Sequence, residues 1–243
     1  MQQPRIPRSV LAATAGAILL AGLFGLSGCR QDEEAASRPS VADFDVADAL
    51  AHADPARYSA AVTLKSTGNG LPSVVSRGRL NLNGPVTGHL TVRNARYGES
   101  EALYTGEHAY VRLQGSDGRP GRWKALPGAV NGRLPLGNLS GYAELLAARP
   151  GADKGLERTA GVAVHRLAGT ILADQLATMD PDFHHELVAS HTRSFDCEIW
   201  VTAQGRVVRF ERSVVVAGRT PLNNVVTLSR FGEPEPVAAP ASA

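Results

Sequence analysis

The sequence predicts an α+β fold in which a strongly curved antiparallel β-sheet carries helices over its concave face. Three observations predict this fold. Much of the chain between residues 58 and 216 alternates apolar and polar side chains with a period of two, which is typical of strands with one dry and one wet face. Turn signals such as Gly68-Asn69-Gly70 and Asn83-Gly84-Pro85 separate these runs. Three short stretches carry apolar residues at helical spacing instead.

The alternating runs define the apolar face of the predicted sheet. In the last of them, Val208, Phe210, Val214 and Val216 alternate with polar residues. Aromatic residues make up only 5% of the chain, so the space between sheet and helices could be incompletely filled and could hold a ligand; tight packing of small residues is the alternative. Alternation alone nominates the residues of this cavity, for each of which an ordinary core role is the competing interpretation: Val62, Leu64, Leu80, Leu82, Leu90, Val92, Val111, Leu113, Phe210 and Val214.

The first helical pattern begins with Ser40 as its N-cap and Asp43 in its first turn, and it stops near Asp54-Pro55. Each of the three patterns has an apolar stripe, which predicts a face buried against the sheet. The other two run from Leu139 to Arg149-Pro150-Gly151, and through Leu172, Leu176 and Met179 to an end at Asp180-Pro181.

The N-terminus has the three parts of a secretion signal. Arg5 and Arg8 precede an apolar run from Val10 to Leu26, and small residues then lead to Cys29. The run is about 17 residues long and interrupted by glycines, which argues against a permanent transmembrane helix. Residues 26–29, Leu-Ser-Gly-Cys, resemble the bacterial lipobox. That resemblance implies that residues 1–28 are removed and that the Cys29 thiol carries a diacylglycerol anchor.

Composition divides the rest of the chain. Residues 29–40 are predicted to be the lipidated cysteine and a flexible tether, because residues 30–40 are polar and small without any hydrophobic period. Residues 41–232 are predicted to form a single domain, since no Pro/Gly/Ser-rich linker divides them. Residues 233–243 are rich in proline and alanine and are predicted to be an extended or disordered tail.

Charge and cysteine content exclude further classes. Of 25 Lys+Arg and 23 Asp+Glu, removal of the signal takes Arg5 and Arg8, which leaves 23 of each sign. A neutral domain has no electrostatic footprint for nucleic acid, so no nucleic-acid partner is predicted. If the lipid occupies Cys29, Cys197 has no intrachain partner for a disulfide. It is then predicted to be a small buried residue rather than a reactive thiol.

Catalytic and metal-binding patterns are weak. Residues 180–186, Asp-Pro-Asp-Phe-His-His-Glu, contain metal-ligand types with His191 nearby. Their spacing is not His-Glu-x-x-His, and adjacent His184 and His185 would point in different directions. A solvated loop or helix end is therefore predicted, with a metal site as the alternative. The sequence has no nucleophile elbow, phosphate-binding loop or dinucleotide fingerprint, so neither an enzyme nor a cofactor is predicted.

The order of these elements, together with four stretches of sequence, resembles the LppX/LprAFG-type lipoproteins of actinobacteria, relatives of the LolA lipoprotein carrier. The resemblance covers about residues 41–240, but the acidic residue usual after the strand tryptophan is absent from Trp200-Val201-Thr202. It implies a half-barrel that holds lipid between sheet and helices. The stretches are residues 104–113 followed by Gly121-Arg-Trp-Lys124, residues 161–169, residues 197–210 and residues 226–234.

The sequence thus leads to one expectation and one alternative. We expect an exported lipoprotein on the outer face of the cytoplasmic membrane, which binds or carries a lipid or another hydrophobic ligand. The alternative is a sensor or interaction module of the cell envelope that has the same fold with a filled core and contacts a protein partner. Shared fold does not by itself decide between them.

Overall fold

The computed structural model describes residues 43–68, 70–115, 118–126, 136–215 and 220–241. The predicted signal, Cys29 and the tether lie outside these residues. The described residues form one open antiparallel sheet of eleven strands, in the order β6-β5-β4-β3-β2-β1-β11-β10-β9-β8-β7. This confirms the predicted antiparallel α+β class. The strands are β1 Tyr58–Gly68, β2 Leu71–Leu82, β3 Thr87–Asn94, β4 Gly98–Thr105, β5 Ala109–Leu113, β6 Lys124–Leu126, β7 Asp153–Thr159, β8 Val162–Leu172, β9 Ser194–Val201, β10 Val207–Val214 and β11 Leu222–Gly232.

The first helix, α1 (Val46–Ala51), is shorter than predicted and begins later. Its N-cap is Asp45, whose carboxylate accepts from the Asp48 backbone N–H at 2.9 Å. Asp43 therefore is not part of a helical turn. The second helix, α2 (Leu139–Ala147), is capped by Asn138 and agrees with its predicted position.

The third helix was predicted wrongly. Residues Ala173–Leu176 form only a 3₁₀ turn, and Leu172 is exposed. The α-helix α3 instead spans Pro181–Ala189, with Asp180 as its N-cap. Asp-Pro was interpreted as a helix end, but aspartate also caps helix starts and proline is favoured in the first turn, where its missing N–H costs nothing.

A β-bulge in β10 places Val208 on the opposite face from the one that alternation predicts. The register between β9 and β10 shifts between Val207 and Arg209. As a result Val208 packs with Val164 and Trp200 in a small cluster of its own, whereas Val207 and Phe210 belong to the main core. An extra residue in one strand turns the side chains on one side of it to the opposite face, and this cannot be seen in the alternation itself.

The tail after residue 232 lies against the sheet. Ser59 donates its hydroxyl to the Glu233 carbonyl at 2.6 Å, and the Asn81 side chain exchanges two hydrogen bonds with the Glu235 backbone at 2.7 and 2.8 Å. The tail is therefore extended and attached as far as these contacts reach, in a region that composition alone marked as a separate segment.

Candidate functional site

The apolar face of the sheet gathers the ten residues that the sequence nominated. Register places Val62 opposite Gly78 in β2, and Gly78 opposite Leu90 in β3. Leu80 faces Gly88, and a Cβ at residue 88 would lie only 2.8 Å from Leu80 Cδ2, so the glycine makes room for the leucine. By the same register all ten lie on one face, because residues paired across an antiparallel sheet point to the same side.

Burial divides the ten residues. Val92 and Val111 are half-buried at the surface of the core, and Leu113 is 62% exposed. Leu82 lines a cavity of about 250 Å³ between the end of the sheet and the start of α2, together with Tyr58 and Val207. Apart from Val92, Val111 and Leu113, the nominated residues are buried with little or no exposure, Leu82 among them: Val62, Leu64, Leu80, Leu82, Leu90, Phe210 and Val214.

The helices of the described residues pack mainly on one half of this face. Helix α2 packs on β8, β9 and β10, and α3 packs against the 3₁₀ turn. The centre of this packing is aromatic, because the Tyr142 ring lies 5.3 Å from Phe210 and 6.3 Å from Phe195 between centroids. Phe183 of α3 reaches Phe195 at 5.3 Å. The core under the helices is thus filled by rings with edge-to-face geometry.

A polar group links two helices above this aromatic centre. The Tyr142 hydroxyl donates to Asp180 Oδ2 at 2.7 Å, while Asp180 Oδ1 accepts from the Phe183 backbone N–H at the start of α3. Burial, reinforced by the Asp180 carboxylate, raises the pKa of Tyr142 far above its usual value. The phenol therefore stays protonated and acts as a hydrogen-bond donor.

At one end, the apolar face finishes in polar side chains. Arg212 and Asn224 are register partners in β10 and β11, and the Arg212 guanidinium lies 3.9 Å from the centroid of the Phe183 ring. Burial lowers the pKa of Arg212. Arg212 Nε and Asn224 Nδ2 are buried donors without a hydrogen-bond acceptor among the described residues. Buried donors of this kind are normally satisfied by protein groups or by ordered water.

Two other sequence candidates have structural positions. Cys197 is almost fully buried on the core face of β9, and burial raises the pKa of its thiol, which opposes reactivity. In the 180–186 segment, Asp180 caps α3, Phe183 is buried and His185 is exposed. Within the described ranges, no three His, Cys, Asp or Glu side chains come together as a metal site would require.

No protein-family model and no curated protein sequence matches the chain. A solved structure does: LprF from Mycobacterium bovis matches with a TM-score of 0.53 at 16% identity, over 81% of this chain and 97% of LprF. The chain has the fold of LprF. Lipoprotein LppX from Mycobacterium tuberculosis matches with a TM-score of 0.45 at 18% identity, over 80% of this chain and 94% of LppX. A LolA superfamily protein from Nitrosomonas europaea gives 0.30 at 10% identity, over 78% and 92%.

The match to LprF confirms the predicted resemblance at the level of fold: an open curved sheet with helices on one face. Along the part of the chain that is described, no helix combines the length and the apolar character needed to cross a membrane.

The LprF-type sheet also has a polar face, on which the structure shows a cleft that the sequence analysis did not predict. A cleft of about 980 Å³ lies there, lined by Arg77, Arg79, His89 and Arg93 among others, and by tail residues 235–238. Arg79 and Arg93 alternate with apolar residues in the sequence, which places them on the wet face of the predicted sheet. The signal that could have distinguished them is their recurrence on neighbouring strands, which brings them together once the strands pair.

Proposed function

We propose that this protein is an exported, non-catalytic lipoprotein, anchored through Cys29 at the outer face of the cytoplasmic membrane, that binds a lipid or another hydrophobic ligand on the apolar face of its sheet. The observation that carries the proposal is the unequal cover of that face. The helices fill the space over β8–β10, whereas Val92, Val111 and Leu113 on β3 and β5 are left partly or largely exposed. Exposed apolar side chains that continue a core are typical of a binding surface.

The energetics suit a long acyl chain. Each methylene that leaves water contributes about 0.8 kcal/mol, so several methylenes over β3–β5 give substantial affinity without any precisely placed polar group. Arg212 and Asn224 lie on β10 and β11, separated from β3 by β1 and β2, so they do not contribute to this surface. The surface therefore selects for apolar length rather than for a particular headgroup.

The anchor rests on sequence alone. The positive segment, apolar run and Leu-Ser-Gly-Cys29 support export and lipidation. A fatty acid analogue fed to the producing cells should label the wild-type chain, and Cys29→Ser should abolish the label. Protease added to spheroplasts should degrade the labelled protein. Undiminished labelling of Cys29→Ser, or full protection from protease, would contradict the anchor and the location.

Lipid binding can be tested on the full chain purified from its own host. Mass spectrometry of an organic extract should find about one lipid molecule per protein molecule in addition to the covalent anchor. Leu113→Glu should remove most of that lipid, since it places a charge on the exposed apolar surface. Val188→Glu is the matched control, because Val188 is similarly exposed on α3, away from this surface. Equal lipid content in both variants, or none in the wild type, would refute the proposed binding.

A second function has its own support. Seven of the ten nominated residues are already buried, and the larger cleft lies on the polar face. Both facts suit an envelope sensor or interaction module with a filled core. In that case the purified chain carries no extra lipid, and cross-linking in intact cells recovers a protein partner whose capture is unaffected by Leu113→Glu.

A further inference from the structure

The cleft on the polar face is separate from the proposed lipid surface, which lies on the other side of the same sheet. Strands β11, β1, β2, β3 and β4 contribute to it, and the tail at residues 235–238 borders it. Its charged lining, apart from His89, consists of Arg77, Arg79, Arg93, Arg230, Glu99 and Glu235.

The cleft has an excess of positive charge. Arg93 Nε donates to Glu99 Oε2 at 2.7 Å, and Arg79 forms an ion pair with Glu235. His89 is engaged by Glu101 at 2.7 Å. Arg77 and Arg230 have no carboxylate partner in the part of the chain that is described. Two uncompensated cations in one cleft raise the local concentration of anions.

Hydroxyl groups surround Arg77. It lies opposite Thr63 in β1 and Thr91 in β3, and Thr227 of β11 lies opposite Thr63. All three threonines line the cleft, and none of their hydroxyls is hydrogen-bonded to another described residue. A guanidinium with several free hydroxyls beside it is a donor set suited to the oxygens of a phosphate group.

The protein already places one anion at the border of the cleft. The Glu235 carboxylate pairs with Arg79, and the Glu235 backbone is held by Asn81. Arg79 also donates to the Arg230 carbonyl at 3.0 Å and to the Ser59 hydroxyl. Arg79 is thus the residue that connects the tail to the floor of the cleft, and its positive charge is shared with Glu235 rather than free.

The backbone at Arg230 is strained in the same place. Its φ of 50° lies in the left-handed region that non-glycine residues seldom adopt. Such strain costs about 1 to 3 kcal/mol and persists only where surrounding contacts impose it. Arg230 lies where the register between β1 and β11 shifts, between the Ser59–Gly232 and Ala61–Ser229 pairs, so a β-bulge accounts for this conformation. The Arg230 carbonyl accepts from Arg79 at the same place.

We propose that this cleft is a binding site for a phosphate ester, in which Arg77 and the hydroxyls of Thr63, Thr91 and Thr227 hold the phosphate oxygens and Glu235 competes for the neighbouring Arg79. The phosphate can belong to a phospholipid headgroup or to a soluble ester, since the donor set recognises the group that both share.

Isothermal titration calorimetry of the full chain in a neutral sugar detergent tests the site. Two probes separate the sources: glycerol 3-phosphate as the soluble ester and dihexanoyl-phosphatidylglycerol below its micelle concentration as the lipid. Arg77→Gln should weaken binding about tenfold or more, because it removes a charge-assisted hydrogen bond. Glu235→Gln should tighten binding by up to about fivefold, because it frees Arg79.

Arg193→Gln is the control, since Arg193 is an exposed arginine outside the cleft whose loss changes net charge equally. Binding of either probe supports the site if Arg77→Gln weakens it more than Arg193→Gln does, and the probe that binds identifies the source. Absence of binding by both probes overturns the proposal. So does equal weakening by the two arginine variants, which would indicate general charge attraction. Weaker binding by Glu235→Gln would likewise overturn the proposed competition between Glu235 and the phosphate, and circular dichroism of Arg77→Gln identical to wild type shows that its weaker binding is not misfolding.

Discussion

The two halves of the apolar face have the same sequence pattern and different surroundings. On β8–β10, α2 covers the sheet, and its Tyr142 ring packs against Phe195 of β9 and Phe210 of β10. On β3–β5 the face runs outward from buried Leu90 through half-buried Val111 to exposed Leu113. Alternation therefore identifies which face of a strand is apolar, but the covering element decides whether that face is core or surface. The following predictions test this contrast.

The largest effect is expected in the helix-covered half. Phe210→Ala should lower the free energy of unfolding by about 3 to 5 kcal/mol, because it leaves a cavity beneath the Tyr142 ring. Urea denaturation monitored by circular dichroism measures this loss. A loss below about 1 kcal/mol would mean that the helices do not close tightly over β10.

A smaller effect is expected at the link between the helices. Asp180→Ala should cost about 2 to 3 kcal/mol, since it removes the cap of α3 and leaves the buried Tyr142 hydroxyl without its acceptor. Asp182→Ala, on the exposed side of the same helix, is the control. Adding Tyr142→Phe to Asp180→Ala should recover part of the loss. If the double variant is no more stable than Asp180→Ala, the hydroxyl is not the source.

His165 provides a pH-dependent contribution, which we expect to be smaller still. Its Nδ1 lies 2.9 Å from Asp153 Oδ2 and its Nε2 lies 2.8 Å from Asp43 Oδ1. Burial alone would lower its pKa, but the hydrogen bonds to Asp153 and Asp43 outweigh it and raise the pKa above the usual value. The protonated form therefore stabilises the fold. This stabilisation is fully present below the unfolded pKa of about 6.5 and disappears as pH rises through the folded pKa.

Comparing His165→Gln with the wild type tests whether protonation of His165 stabilises the fold. The difference in unfolding free energy should be greatest near pH 5.5 and should shrink as pH increases toward the alkaline range. A difference that grows with pH would mean that His165 is neutral in the folded protein.

The smallest effect is expected in the uncovered half. Leu113→Ala should change the unfolding free energy by no more than about 0.5 kcal/mol, because Leu113 is 62% exposed. The same substitution should reduce the amount of lipid recovered with the protein. A large loss of stability would show that Leu113 is covered in solution, which would weaken the case for a lipid surface there.

Local pattern was sufficient for much of the fold. Strict alternation predicted β1, β2, β3 and β5 and the shared face of Val62 and Leu90, because a period of two needs no knowledge of the partner strand. It did not predict β7, whose sequence Asp153–Thr159 contains one large apolar residue, Leu156. Strands at the edge of a sheet carry charged residues and lose the signal.

The missed features of the site depend on distant contacts. His165 binds Asp43 from 122 positions away, and Asn81 holds Glu235 from 154 positions away. Nothing in the local sequence around either residue indicates its partner. Asp180-Pro181 was misassigned for a different reason, because this dipeptide is compatible with either the end or the beginning of a helix. The packing of Phe183 against Phe195 favours the beginning.

An open sheet of this size exposes hydrogen-bonding groups at its two margins. One margin is β6, which has only three residues. The other is β7, which carries Lys154 and a register irregularity between Asp153 and Leu156, where Gly155 has a φ of 93°. A very short strand and a charged, bulged one are both poor templates for a further strand. The sheet of eleven strands can therefore stay open without pairing edge to edge with the sheets of neighbouring molecules, which would lead to fibrils.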